Sequence, residues 1–542
     1  MARRAGWLAA GWGVYVLGGP GVLLADGNAL LGLIGVALWA VAAHRPARRA
    51  FLLEWLAASI GLGAQLWWVA YVYVPALAVV ALGMGVYGAL AGVLLRRIAR
   101  RFPLSLAVPL AWTGAESLRA FLPPPFGLGW LRLGHYAAAT PALSGSARVW
   151  GVVGLGFVLA AMAGLAAELW TLRERRPASL ALGLGPLALA LLLCAFTSPP
   201  ATRDGPRLLL VQPAFAQARK QYGDPRENYE RSLELTAAAV SRGAPAPDLV
   251  CWGETMLCVP VVSEDLPPGL EAEAAEWAPY EASWIGRARA ALPAGTSFLS
   301  GAEALVARDG RLRRANAVAL WDREGRRGPL AAKSHLVPGA ETMMGLERFE
   351  LVRDAIFEIS AYVPDFVAGA GTTVLELSGR DGATWRLGAT VCFDNAFIGP
   401  YTAPLRAGPL DFHLVVSNEA WYLDSCEMDQ MIAFSRLLAI ATGRAFVRAT
   451  NAGVSAAFAP DGRELARLRV AGRDRLVAGT LAVAVPVPVD PAAAPPYVGL
   501  ERWWRAAAIL LPFLAALSGS RRGAVRGSDR RPLAGNPDDA GR

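Results

Sequence analysis

The sequence predicts a polytopic α-helical membrane domain joined to a large α/β domain. Three observations carry this. Long apolar runs fill the first 200 residues and recur once near the C-terminus, arginine clusters follow alternate runs, and residues 205–490 alternate short β-like segments with helical ones. The chain has 542 residues, 54% hydrophobic and only 18% charged, too apolar for an ordinary soluble protein.

Seven apolar segments come first, at 6–24, 29–43, 52–74, 76–95, 104–120, 149–170 and 179–197, and an eighth lies at 503–517. A span needs about 20 apolar residues; the second and eighth are shorter. Any one segment also fits a buried core helix, but seven in near succession favour a membrane domain. Arg3 and Arg4 precede the first run, Arg45, Arg48 and Arg49 follow the second, Arg96, Arg97, Arg100 and Arg101 the fourth, and Arg173, Arg175 and Arg176 the sixth. Arg521, Arg522, Arg526, Arg530 and Arg531 follow the eighth. If all eight runs cross, every cluster falls on one side, which the positive-inside rule makes the cytoplasm. The α/β region then lies outside. The loop 121–148 fits poorly, because it is also outside yet carries Arg132 and Arg148. The first run is taken as an uncleaved span rather than a signal peptide, since Leu24-Ala-Asp-Gly leads straight into another apolar run.

This divides the chain into a membrane domain at 1–200 with seven spans, an α/β domain at 205–490, a C-terminal span at 501–518 and a basic tail at 519–542. The Arg/Gly/Pro/Asp composition of the tail predicts disorder on the cytoplasmic side. Arg207–Gln212, Asp248–Trp252 and His413–Ser417 are continuous apolar strands, which implies sheets covered on both faces. Glu227–Ser241 and Met428–Thr442 read as helices between them. Roughly 285 residues suffice for one large core. Pro486–Pro496 reads as a linker back to the membrane.

Several function classes drop out. The net charge of +9 sits at the ends of apolar runs, which argues against nucleic acid. Five cysteines without paired spacing and four scattered histidines argue against a metal site.

The residues that carry chemistry lie at strand ends. Leu387-Gly-Ala-Thr-Val-Cys-Phe-Asp394 is an apolar strand that delivers Cys392 where the run breaks. A strand-to-helix elbow there would expose the sulfur, as at the nucleophile elbow of hydrolases. Most free cysteines are small buried hydrophobes, so Cys392 alone means little; a nucleophilic thiol needs an adjacent base or a depressed pKa. Glu254 ends the strand Leu249–Trp252. Beside Trp252 it would be desolvated, and a raised pKa suits a general base. Lys333 precedes the apolar Leu336-Val337-Pro338, which suggests a cleft rather than an open face. A fixed ammonium there would stabilise an oxyanion that exists only in the transition state.

Glu254, Lys333 and Cys392, in this order and 79 and 59 positions apart, resemble the nitrilase (carbon-nitrogen hydrolase) superfamily. Within it the chain resembles the apolipoprotein N-acyltransferases, bacterial membrane enzymes of lipoprotein maturation. The matching stretches are Lys333–Glu341, Ser417–Tyr422 and Arg448–Val454, with Gly129–Gly134 and Gly151–Phe157 in the membrane part. The resemblance implies a nitrilase-like αββα sandwich, with Glu254 as base, Lys333 as oxyanion stabiliser and Cys392 as nucleophile. It also implies supporting roles for Glu341, Asn316, Asp394 and Trp421. Gly253 stands where the family has proline, and Phe393-Asp394 where it often has Tyr-Glu.

The implied reaction passes an acyl chain from a phospholipid, phosphatidylethanolamine in most of the family, through a cysteine thioester to the N-terminal amine of a diacylated apolipoprotein. No metal or cofactor is expected. The chain is expected to be a monomer in the bacterial cytoplasmic membrane, contacting membrane lipid, with its catalytic domain on the extracytoplasmic side. A membrane-anchored amidase that passes the acyl group to water, and a non-catalytic scaffold, are the alternatives. Thr342–Pro364, with Met343, Met344 and Phe349, is expected to form a lid facing the bilayer; a helix packed in the core is the other reading.

Overall fold

The computed structural model describes residues 2–172, 177–243, 245–360 and 364–518. The cluster Arg173, Arg175 and Arg176, the tail 519–542 and Tyr362-Val363 lie outside the described residues. Every apolar run of the first 200 residues corresponds to a helix: α1 (Ala2–Gly18), α2 (Ala29–Ala43), α3 (Ala50–Gln65), α4 (Val74–Ile98), α5 (Leu104–Phe121), then, after the short α6 (Pro141–Ser144), α7 (Ala147–Leu172) and α8 (Pro177–Phe196). Among the described residues, three helices are long and apolar enough to cross a membrane: α4, α7 over Ala147–Thr171, and α8. Helices α2 and α3 are apolar but shorter.

The third run was expected to continue to residue 74. Instead α3 ends at Gln65 and Trp67–Tyr71 form a 3-10 turn. The reason is tertiary. Trp68 packs on Trp130 with centroids 5.0 Å apart, and its indole N–H donates to Gln430 Oε1 at 3.3 Å.

One end of the bundle collects arginines. Glu54 Oε1, fully buried, accepts from Arg4 and Arg96, each at 2.5 Å. Arg4 also donates to the Arg45 carbonyl at 2.7 Å, and Arg96 to that of Ala43 at 3.1 Å. At the other end of α3, the Gln65 carbonyl accepts from Gln430 Nε2 at 3.2 Å. Glu54 and Gln65 are eleven residue steps apart along α3, about 16 Å of rise. The arginines thus gather at the end remote from the α/β part. Arg132 and Arg148, the misfits of the charge pattern, are both buried. Arg148 Nη1 donates to the Thr197 carbonyl at 2.8 Å.

The α/β part is a two-sheet sandwich. Strands β1 (Thr202–Arg203), β2 (Arg207–Gln212), β3 (Leu249–Trp252), β4 (Val261–Val262), β5 (Ser297–Arg308), β6 (Arg311–Trp321) and β7 (Ala331–Ala332) come first. They are followed by β8 (Val374–Ser378), β9 (Thr384–Val391), β10 (Phe412–Ser417), β11 (Ala445–Thr450), β12 (Ala456–Phe458), β13 (Glu464–Arg467), β14 (Gly479–Ala484) and β15 (Val487–Pro488). One sheet runs β14-β2-β3-β5-β6-β7, with β4 beside β5; the other runs β13-β12-β11-β10-β9-β8. β2, β3 and the start of β5 are parallel, as are β9, β10 and β11.

Alternation along β2 shows the layering. Leu208 and Leu210 face the other sheet, meeting Leu387, Leu414 and Val416, while Leu209 and Val211 face Tyr229 and Ile285. The latter belong to α10 (Pro225–Ser241) and α12 (Ala278–Ala290), which follow the short α9 (Gln217–Tyr222) and α11 (Glu271–Ala275). The outer face of the second sheet is covered by α14 (Gly399–Ala407) and α15 (Glu427–Thr442), through Tyr401, Met428 and Ile432. The order helix, sheet, sheet, helix is the nitrilase-like αββα sandwich. Before α14, α13 (Glu350–Ser360) stands apart, with Phe349, Leu351 and Phe357 exposed. The presumed linker at 486–496 is partly structured: β15 pairs with β1, so the chain enters and leaves the sandwich side by side before α16 (Pro496–Ser518).

α7 is kinked where this return passes. Gly151 has φ +61°, and a Cβ there would lie 2.3 Å from the ring of Tyr497 on α16. Helices and sandwich also share one apolar cluster, in which Trp112 and Leu133 join Phe393, Met431 and Phe434.

Candidate active site

Four strands of the parallel regions end at one place. β3 delivers Glu254, β9 delivers Cys392, β10 leads to Glu419, and the segment after β2 delivers Lys220. Sites in α/β folds form beyond the carboxyl ends of parallel strands for this reason. Asn316 on β6 and Lys333 just after β7 enter from the antiparallel edge of the first sheet.

The predicted elbow is present. β9 stops at Val391, Cys392 takes φ +46°, and a 3-10 turn runs from Cys392 to Ala396. A β-carbon at positive φ is strained, and such strain persists only where surrounding structure enforces it. Asp394 supplies the enforcement. Its carboxylate accepts from Ser334 N at 3.1 Å, Ser334 Oγ at 2.7 Å and His335 N at 2.8 Å. Asp394 therefore ties the turn at Cys392 to the residues after Lys333. The His335 ring, 2.9 Å from Asp394, stacks on Phe397 at 3.9 Å.

Glu254, Asn316, Lys333 and Glu341 form one buried network. Asn316 Nδ2 donates to Glu254 Oε1 at 2.6 Å and to Glu341 Oε1 at 3.0 Å. Lys333 Nζ lies 2.8 Å from one Glu341 oxygen and 2.9 Å from the other, but 4.0 Å from Glu254. Glu341 is thus the direct counterion of Lys333. The Val337 amide fixes Glu341 Oε2 at 2.9 Å. Glu254 Oε2 is buried and has no hydrogen-bond partner among the described residues. That oxygen is free to accept a proton.

Electrostatics differ from group to group. Burial pushes the Glu254 carboxyl above its ordinary range, against the lowering effects of Lys333, Lys220 and the Asn316 hydrogen bond. Burial also pushes the Cys392 thiol up, helped by the Glu254 charge and opposed by Lys333. A thiol held neutral beside a carboxyl of raised basicity fits deprotonation on demand. Burial works against the Lys333 ammonium, but Glu341, Cys392 and Glu254 outweigh it and hold it charged. The acid limb of the activity profile is therefore expected above the ordinary glutamate value of about 4.3. Asn316→Leu removes a hydrogen bond that favours the carboxylate, so the limb should move further up. A pH–rate profile that stays put or moves down would separate Glu254 from the acid limb.

The departures have local explanations. A Cβ on Gly253 would lie 2.9 Å from the Asn451 amide nitrogen, so nothing larger than glycine fits without movement. Phe393 stacks on Trp130 with centroids 6.0 Å apart, which joins the turn at Cys392 to the loop after α5. Trp421 lies in the turn Glu419–Tyr422, half-buried. Its neighbour Tyr422 packs on Trp68 at 4.7 Å and lies within the field of the Cys392 and Glu254 charges.

Sequence reasoning missed two features. Lys220 is one: its Nζ donates to the Glu254 carbonyl at 2.5 Å, and burial brings it down to about 8 despite Glu254 and Cys392. The other is the fully buried ion pair of Arg448 with Glu419, which pins the turn after β10. A Cβ on Gly453 would fall 1.2 Å from Glu419 Oε2.

Two family models match the two parts of this chain. The family described as apolipoprotein N-acyltransferase N-terminal domain matches residues 27–165, and carbon-nitrogen hydrolase matches residues 213–483. The apolipoprotein N-acyltransferase of Sinorhizobium medicae is 30% identical over 436 residues, covering 76% of this chain and 76% of its own. That of Chlorobaculum tepidum is 27% identical over 369 residues, covering 67% and 68%. Among solved structures, an amidase from Nesterenkonia sp. is similar at 17% identity and a TM-score of 0.34, covering 57% of this chain and 99% of that one. With both halves matched in order and a relative of this identity aligned over three quarters of its length, the chain belongs to the apolipoprotein N-acyltransferases, membrane enzymes of the nitrilase superfamily.

Proposed function

We propose that the protein transfers an acyl chain from a phospholipid to the N-terminal amine of S-diacylglyceryl-cysteine in apolipoproteins, through a thioester on Cys392. The observation that carries this is the buried network around Glu254, with a free carboxylate oxygen on one side and the ammonium of Lys333 on the other. Glu254 takes the Cys392 proton, and the sulfur attacks the ester carbonyl. Lys333 stabilises the tetrahedral oxyanion. The intermediate collapses to the thioester as the lysophospholipid alkoxide leaves with the proton from Glu254. The acceptor amine then attacks the thioester, its proton passes to Glu254, and the thiol is restored. Asn316 and Glu341 orient base and ammonium, and Asp394 holds the elbow.

Purified full-length protein incubated with phosphatidylethanolamine and a diacylated lipopeptide should yield a peptide heavier by one acyl group. Fatty acid released to water, with the peptide unchanged, would favour the amidase-like alternative.

In this reading all eight apolar helices cross the cytoplasmic membrane, and the exposed apolar face around α13 acts as a lid that admits lipid. The remote arginine end of the bundle, with Arg4, Arg45 and Arg96 together, supports a cytoplasmic placement of that end and an extracytoplasmic sandwich. An alkaline phosphatase fusion after Gly205 should be active and one at the C-terminus inactive. An active C-terminal fusion would mean that α16 does not cross.

A further inference from the structure

A cavity of about 510 Å³ opens where the loop after α5, the nucleophile's turn and the first turns of α16 meet. Phe121, Arg132, Met344, Phe393, Glu501 and Arg505 are among its walls. It adjoins the elbow without containing Cys392; Phe393 stands next to that residue in the chain.

Arg132 is the unexplained part of this wall. It is 6% exposed, yet its Nε and Nη1 are buried with no hydrogen-bond partner among the described residues. A buried cation without hydrogen bonds is costly, and such residues pair or serve a ligand. Arg119 adds a second positive charge nearby, and Glu116 and Glu501 are the carboxylates whose charge reaches Arg132. Arg132 and Arg505 both lie against the ring of Phe121, with guanidinium carbons 5.6 and 5.3 Å from the centroid. Glu501 is the carboxylate in the wall, and it is shared: Arg406 lies 3.7 Å away and Arg505 3.9 Å. Glu116, whose charge also reaches Arg132, is already held by Tyr15 at 3.2 Å and the Leu133 amide at 3.0 Å. A buried guanidinium with unpartnered donors suits an anionic oxygen such as a phosphate's.

We propose that this cavity binds the phosphodiester of the lipid donor, with the Arg132 guanidinium donating to one of its oxygens, Arg505 adding charge at the mouth and Phe393 guiding the acyl ester toward Cys392. This rests on the phospholipid-donor reading above. The ionic group would then be recognised apart from the acyl chain, so donors are selected as anionic or zwitterionic phospholipids rather than as neutral glycerides.

The test measures Cys392 acylation by intact mass in detergent-solubilised full-length protein. One donor is dioctanoyl-phosphatidylethanolamine, the other the phosphate-free ester p-nitrophenyl octanoate. Arg132→Gln should lower the ratio of the two acylation rates, phospholipid over ester, by about 30-fold, and Arg505→Gln by about 5-fold. A ratio unchanged in both variants overturns the site. If Arg132→Gln does not fold, Arg505→Gln decides. Wild type acylated by the ester but by no phospholipid would sink the donor reading itself, and this site with it. Inorganic phosphate separates the two sources of the anion. Little inhibition by inorganic phosphate in large excess over the lipid supports a lipid site; full Arg132-dependent inhibition would assign the cavity to free phosphate and overturn the proposal.

Discussion

Cys392→Ala abolishes the acyl-enzyme, and transfer to the lipopeptide falls by at least about 10³-fold, the scale on which catalytic nucleophiles are lost. Intact-mass spectra of wild-type protein with phospholipid gain one acyl chain; those of the variant gain none. The chain has five free thiols, so the claim is selective. Cys251 is sealed between the sheets, and burial raises its pKa. Burial likewise pushes Cys258 up to about 11 and Cys426 up to about 12. Cys392 is raised as well, so burial alone does not distinguish it. What distinguishes it is the strained elbow and the opposed charges of Glu254 and Lys333. Cys251, Cys258 and Cys426 changed to alanine therefore leave the adduct in place. A hydroxylamine-sensitive adduct that survives Cys392→Ala would move the nucleophile to another residue.

How far the sequence reveals this site depends on how local each feature is. The ends of β3 and β9 are local, so Glu254 and Cys392 stand out where apolar runs break. The helices of the first 200 residues are local too, because burial in lipid and burial in a core both demand continuous apolar stretches. The end of α3 is not local. Trp67–Tyr71 is as apolar as a span, and the helix stops there because Trp68 is drawn to Gln430. Arg132 and Arg148 look like misplaced loop charges until folding buries them. Lys220 is invisible for a topological reason. It lies 34 positions before Glu254, and the two meet because β2 and β3 are parallel neighbours. The sequence does not state that adjacency. Glu341 and Asn316 came from resemblance to a family, and only the geometry gives them work: one faces the ammonium, the other spans both carboxylates.

Lys333→Arg lowers kcat by about 10²- to 10³-fold, some 2.7–4 kcal/mol, with little change in the donor KM. The charge is kept, so the effect has to come from shape. Lys333 is 1% exposed, and its backbone is clamped on both sides: its N–H donates to the Asn316 carbonyl at 2.7 Å, and its carbonyl accepts from Gly369 at 2.8 Å. The side chain cannot back away to admit a larger head. Glu341 presents both oxygens to Nζ at 2.8 and 2.9 Å, an arrangement a planar guanidinium would take over as a bidentate pair. Its donors would then point along the Glu341 plane, and none would remain where the tetrahedral oxyanion forms. An ammonium has three donors and can serve Glu341 and the oxyanion together. Overpacking adds about 1–3 kcal/mol of destabilisation, so folding is checked by thermal unfolding before rates are compared. A charge-free variant completes the argument: Lys333→Met removes the oxyanion partner and leaves Glu341 unpaired, so it should be at least as inactive as Lys333→Arg. Wild-type turnover in the folded arginine variant would show that a positive charge of either shape suffices and that Lys333 does not contact the oxyanion.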